Sequence, residues 1–269
     1  MKPKIRIGAL ISGGGTNLQA IIDACESGSI SGKMVFVGSD NPGAPGLKRA
    51  EKADIPTFVV DYRAIIQGYQ NDPTNTSTPP DFNLEDCLIK QHIFSESTPA
   101  HRIVRFLVTR AIAEARLLKH MKIYPFDLLV LAGFIRNLTP YFIDRVNTIP
   151  DHPRIMNIHP ALLPAFPGTD GYGDTFRHGC RVGGCTVHFV DYGEDSGPII
   201  GQRCFPIHPN DTLDDVKKNG LEQEWLLYPE CIQLVVENRL EVLKQVHTLD
   251  NGKEMTRTVV RIRTDDGTK

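Results

Sequence analysis

The chain lacks any CxxC pair: its six cysteines, at positions 25, 87, 180, 185, 204 and 231, are scattered. Scatter of this kind argues against a disulfide framework and against a clustered zinc site. It fits thiols used as small buried hydrophobes in a reduced, cytoplasmic protein with no metal. No apolar run reaches the roughly 18 residues that cross a bilayer, so no membrane partner is expected. The apolar run in MKPKIRIGALISGGG is short and ends in glycines rather than at a small-residue cleavage site, so it reads as a strand and not a signal peptide. Excess charge is missing too, with 30 Lys and Arg against 32 Asp and Glu and a formal net charge of −2. A nucleic-acid partner is therefore not expected. Internal repeats are absent.

What is present suits a globular chain. At 269 residues and 41% hydrophobic, it can bury a substantial core as one domain with elaborations. Ile5 to Ile11 is an apolar run without clean alternation, as expected for a strand covered on both faces. A loop from Ser12 to Asn17 leads to a helix from Leu18 to Glu26. Met34 to Val37 reads as a strand, Leu47 to Ala53 as a helix and Thr57 to Val60 as a strand. Further apolar runs follow in DLLVLAG (Asp127 to Gly133) and RIMNI, separated by a helix-like interval. This alternation predicts a doubly wound α/β fold with a mostly parallel sheet. The Pro-, Asn-, Ser- and Thr-rich residues 68–100 read as a surface excursion or a mobile loop, and Ala100 to Lys122 as a long helix. GGCTVHFVD and GPIIGQRCFPI alternate like antiparallel strands, an extension in the C-terminal half. A helix interrupted at Gly220 is expected from about Leu213 to Glu237, and an edge strand or tail in EMTRTVVRIRTDDG.

Three stretches carry chemistry. In ISGGGTNL a glycine loop follows a strand and opens a helix, so free backbone N–H groups can face an anion. It lacks the Gly-Lys-Ser/Thr of a P-loop, and Leu18 stands where a dinucleotide fingerprint has its third glycine. A single phosphate fits better than a dinucleotide, with an unliganded βα turn equally weighted. In RIMNIHPALLPAFPG, strand alternation puts Asn157 and His159 on one side and Met156 and Ile158 on the other, and Pro160 ends the strand. Ligands of open α/β sheets bind beyond such carboxyl ends, although two side chains satisfied by backbone would give the same pattern. In DYGEDSGPII, Asp191, Glu194 and Asp195 sit in a turn where a carboxylate can orient His159; Asp191 and Glu194 read more simply as solvated acids. His188, between Val187 and Phe189, reads as structural.

With NIHPALLPAFPG followed by GCTVHFVDYGEDSGPII, and with LISGGGTNLQAII and LAGFIRNLTP in order before them, the chain resembles the folate-dependent formyltransferase family. Each motif is moderately specific, and four in the right order are highly so. The resemblance implies a Rossmann-like formyltransferase fold. It implies direct transfer of a formyl group from 10-formyltetrahydrofolate to the amine of glycinamide ribonucleotide in purine biosynthesis, without a metal. It makes Asn157, His159 and Asp195 the catalytic trio. It places the phosphate on Gly14, Gly15, Thr16 and Asn17, and the ribose near Glu224. The folate falls against Phe134, Ile135, Arg136, Asn137 and Leu138 and the loop beginning Val190 and Asp191. An arginine on a loop is otherwise most often only solvated, which is the plainer reading of Arg136.

The resemblance divides one domain, 1–269, into a phosphate-binding half (1–61), an insertion with the long helix (62–123), a catalytic and folate-binding half (124–240) and an extension (241–269). The insertion is longer than its family counterpart, and a homodimer is left open. Asp170 follows the Pro-Gly pair where some members carry histidine, so a contact with Asp195's network or the substrate amine is expected. Leu221 stands where a polar contact residue can occur. Other members formylate methionyl-tRNA with a basic C-terminal domain, or hydrolyse formyltetrahydrofolate behind an N-terminal regulatory domain. The short, charge-balanced C-terminus and a core starting at residue 5 favour neither. A non-catalytic nucleotide-binding module would explain the glycine loop but leave the trio without a purpose.

Overall fold

A computed structural model of the protein describes residues 4–73 and 77–264; the expectations for residues 1–3, 74–76 and 265–269 lie outside the described residues. The first apolar run forms β1 (Ile5–Ile11), at the bounds expected. Its side chains divide by parity. Ile7, Ala9 and Ile11 enter one hydrophobic cluster, and Leu10 enters the cluster on the opposite face. In β4 (Leu128–Leu131), Leu128 and Val130 go to the first cluster and Leu129 and Leu131 to the second. A strand buried on both faces needs no polar side, which is why these runs do not alternate.

The first cluster is closed by α1 (Thr16–Ser27), α2 (Gly46–Lys52) and α8 (Leu213–Val236). The second lies under α3 (Tyr62–Asn71), α5 (Ala100–Met121) and α6 (Pro140–Val146). With β2 (Gly32–Ser39), β3 (Thr57–Val59), β5 (Ile155–His159), β6 (Val182–Phe189) and β7 (Ile199–Pro206), the seven-stranded sheet has the order β3-β2-β1-β4-β5-β6-β7. Strands up to β5 are parallel, and β6 and β7 run antiparallel. The order reverses between β1 and β4, which opens a crevice at their carboxyl ends. The fold is thus doubly wound α/β with an antiparallel extension.

Several local expectations need correction. Residues 68–100 are not one loop. α3 runs on to Asn71, and α4 (Leu84–Lys90) starts at Asn83, whose side chain accepts the Asp86 N–H. A short helix, α7 (Gly171–Arg177), precedes β6. α8 passes through Gly220 without a break; the glycine makes room for the Tyr172 ring, since a Cβ there would sit 2.1 Å from Cζ. The C-terminal stretch is half of a separate two-stranded sheet, β8 (Leu240–Thr248) paired with β9 (Glu254–Ile262). Of the cysteines, 87, 185 and 231 are buried in the core, 25 is half-buried and packs against the first cluster, 180 is half-buried, and 204 is exposed, contrary to expectation. No helix among the described residues is long and apolar enough to cross a membrane.

Candidate active site

β5 delivers the two polar side chains where its ladder ends. Met156 and Ile158 pack into the core cluster, and Asn157 and His159 face the crevice. His159 is 2% exposed, with Nδ1 3.1 Å from Asp195 Oδ2 and Nε2 2.8 Å from the carbonyl of Phe166. An acceptor at each ring nitrogen is the arrangement of an imidazolium, which donates from both. Burial is the strongest single influence and opposes that charge, but the hydrogen bond and charge of Asp195, with the Phe166 carbonyl and Glu224, together outweigh it and hold the His159 pKa above its ordinary value. Burial likewise pushes the Asp195 carboxyl up. The hydrogen bond and positive charge of His159, with the Gly168 N–H at 2.8 Å, overcome it and keep Asp195 below the usual carboxylate range.

His188 belongs to this site, contrary to its structural reading. The antiparallel register sets it directly opposite Asn157. Its Nδ1 lies 2.9 Å from the Phe189 carbonyl and its Nε2 3.2 Å from Asn157 Nδ2. Those partners assign the tautomer: Nδ1 carries the proton and Nε2 accepts from the amide. Asp195 Oδ1 is 3.6 Å from Nε2, too long for a direct hydrogen bond. Asn157 is thereby oriented, with its second N–H and its oxygen free of His188. Parity was the available signal, since His188 sits between two buried apolar neighbours as Asn157 does.

The glycine loop closes the other end of the crevice. Gly15 is in the left-handed region at φ 70°, and a Cβ there would lie 2.8 Å from the Gly46 backbone, so only glycine fits. No side chain caps α1, and the first-turn N–H groups of a helix have no partner within it. Gly14, Gly15, Thr16 and Asn17 all line the crevice. Asn17 Nδ2 donates to Glu224 Oε2 at 2.6 Å, and the Tyr172 hydroxyl donates to Oε1 at 2.6 Å. Burial raises the Glu224 pKa against these two bonds. Asn17 Oδ1 is buried without a partner. Tyr172 and Lys217, both at the crevice, were not anticipated; Leu221 lines it as an apolar wall.

The remaining wall is formed by Phe134 to Leu138 and Val190 to Asp195. Phe134 and Leu138 are buried, Ile135 is exposed and Val190 is half-buried. Arg136 is not merely solvated: its Nε is 2.5 Å from Asp40 Oδ2, a carboxylate 1% exposed. Glu194 accepts from Asn137 Nδ2 at 3.0 Å, and Asp191 from Ser196 Oγ at 2.7 Å, so neither is a free turn acid. Asp170 lines the crevice but pairs with Arg177 at 2.7 Å; the Gly168 N–H, not Asp170, joins the network of Asp195. The two ends are tied together, since Ser12 N–H donates to the Gly133 carbonyl and Ser12 Oγ accepts the Ile135 N–H.

Asn157, His159, His188, Asp195, Glu224 and the glycine loop surround one crevice of about 540 Å³, within the range of small-molecule sites. Among the described residues no His, Cys, Asp and Glu group is arranged to hold a metal ion. The model of the family described as formyl transferase matches residues 5–232. The phosphoribosylglycinamide formyltransferase of Haemophilus influenzae is 34% identical over 94% of this chain and 97% of its own length. The trifunctional purine biosynthetic protein adenosine-3 of Chironomus tentans is 34% identical over 87% of this chain, which spans only 14% of that larger protein. The crystal structure of glycinamide ribonucleotide transformylase 1 from Symbiobacterium toebii superposes with a TM-score of 0.69 at 34% identity, covering 97% of this chain and 95% of that one. From the glycine loop through α8, the chain belongs to the formyl transferase family.

Proposed function

We propose that the protein transfers a formyl group from 10-formyltetrahydrofolate to the primary amine of glycinamide ribonucleotide, working as one formyltransferase domain. The observation that carries this reading is the convergence of Asn157, His159 and Asp195 on the crevice that also holds the glycine loop. The acceptor's phosphate fits the uncapped start of α1 at Gly14 to Asn17, where N–H groups and the helix dipole favour an anion. Its ribose falls beside Glu224, and the orphaned Asn17 Oδ1 is an acceptor waiting for a ligand hydroxyl. The folate fits the apolar wall of Phe134, Leu138 and Val190. When bound, it supplies an activated formyl group.

The protein's own residues do the rest. Asn157 Nδ2 and His159 Nε2 aim N–H donors at the formyl oxygen as negative charge builds on it during amine attack. A donor of this kind is worth on the order of 3 kcal/mol in the transition state. His159 Nε2 now faces the Phe166 carbonyl, so binding the reactants exchanges that acceptor for the formyl oxygen. Asp195 keeps His159 cationic and takes part, directly or through water, in moving the proton from the attacking amine to the departing nitrogen.

The test is a spectrophotometric assay with glycinamide ribonucleotide and a 10-formyl folate, run beside His159→Ala. Turnover by the parent and a loss of at least 100-fold in the variant support the reading. Equal rates overturn the role of His159. Deformylation of the folate without the ribonucleotide replaces transfer with hydrolysis.

A further inference from the structure

The insertion has no part in the reading above, yet it reaches the active-site wall. α4 is seated on α5 and α6 through buried Cys87, which clusters with Leu107, Ala111 and Tyr141. Asp81, just before it, accepts from Arg145 at 2.8 Å and from the Tyr141 hydroxyl at 3.1 Å. Beyond it, the Phe94 ring meets Phe106 of α5 edge-on, with centroids 5.0 Å apart. Between these anchors the chain touches the loop that ends in Asp195. The His92 N–H donates to the Tyr192 carbonyl at 2.8 Å, and His92 pairs with Gly193 in an isolated parallel bridge. A second tie runs through side chains. Asp144 of α6 accepts the Tyr192 hydroxyl at 2.5 Å on one oxygen and Lys90 Nζ at 2.8 Å on the other.

We propose that residues 90–92 are a strap that holds the 190–195 loop in its donor-binding position, with Tyr192 and Lys90 as positioning residues acting through Asp144. This rests on the reading that the loop is a wall of the folate site. The loop needs such support. Asp195 sits at φ 50°, a backbone conformation that aspartate adopts only at some cost, and the other ties to the loop come from the crevice side or its ends: Asn137 to Glu194, His159 and the Gly168 N–H to Asp195, and the Val190 N–H to the Ile155 carbonyl. A wall held from behind keeps its backbone aimed at the ligand and loses less entropy when the ligand binds.

Three variants of the full chain test the strap. His92→Pro deletes one N–H; Gln91 is already at φ −70°, ψ 141°, the conformation a residue before proline requires. Tyr192→Phe deletes the hydroxyl, and Lys90→Arg keeps the charge on Asp144. In the transfer assay, His92→Pro and Tyr192→Phe should raise KM for the formyl donor roughly three- to tenfold. KM for the ribonucleotide should stay unchanged, and Lys90→Arg should track the parent. Donor KM equal to the parent's in both deletions, or both KM values rising together, overturns the strap. Calorimetric titration with folate keeps the two readings apart. A parent without transfer activity overturns the assigned reaction, whereas weaker folate binding by the two deletion variants still supports the strap and equal binding overturns it.

Discussion

Asp195→Asn isolates the charge from the shape of the site. In the parent, one oxygen, Oδ2, accepts both the Gly168 N–H at 2.8 Å and His159 Nδ1 at 3.1 Å. An asparagine keeps the Gly168 bond only by presenting its carbonyl oxygen at that spot. A neutral imidazole then carries its proton on Nδ1, and Nε2 turns a lone pair toward the formyl oxygen where the reaction needs a donor. The loss therefore includes the donor itself, about 3 kcal/mol or on the order of 10²-fold in kcat. The pH dependence follows with a definite sign. The carboxylate now holds His159 above its ordinary 6.5 against burial. Without it burial prevails, and the imidazolium is lost at a lower pH than in the parent. The ratio of parent to variant kcat should grow as pH rises from below 6 to about 8, while substrate ionisation cancels in that ratio. Measuring kcat for both proteins across this range decides the matter. A ratio that is flat with pH, or a loss below fivefold at pH 7.5, refutes the reasoning.

Two further outcomes are expected. Burial pushes Glu114 up to about 7 from its ordinary 4.5, although it accepts the Thr139 N–H at 2.9 Å and the Thr139 hydroxyl at 2.5 Å. The folded state thus holds that proton more tightly than the unfolded one, and stability present below pH 4.5 is lost as pH rises through 7. Glu114→Gln keeps the acceptor and removes the titration, so in urea unfolding its stability relative to the parent should gain on the order of 3 kcal/mol between pH 4.5 and 8. A difference that does not change with pH contradicts this. Gly220→Ala should destabilise by about 1–3 kcal/mol through its clash with Tyr172 and raise KM for the ribonucleotide through Glu224. A stabilised variant, the usual result of replacing glycine within a helix, would show that the ring yields.

The fold was legible wherever one strand or helix carries its own pattern. β1, α5 and the β6–β7 pair lie within a residue or two of their expected bounds because burial on both faces, or on one stripe, writes directly into the chain. The pairing of Asn157 and His159 on one face was legible for a similar reason, since alternation along β5 is local and Pro160 marks its end; Asp195 was singled out among the turn acids only by the family resemblance. What escaped depends on distant partners. His188 enters the site only through its pairing with Asn157, and no single strand encodes its register with another. Arg136 looked solvated because its partner, Asp40, is 96 positions away. Tyr172 and Gly220 make sense only as a pair across α7 and α8. α4 has only seven residues and one buried side chain, too few for a periodicity to stand out.

The reversal of strand order between β1 and β4 divides the proposed labour of the chain. In the proposed reading the acceptor's phosphate is held by the loop after β1 and the start of α1, with Glu224 of α8 beside its ribose, whereas the donors and the acid lie within 157–195. The handle and the reaction are thus written in separate passages of sequence that meet only in the folded crevice. Residues 169–172 and 217–224 form the seam between them. Changing that seam is the route by which a phosphate-bearing amine of different length could be admitted, with the formyl-transfer machinery left as it stands.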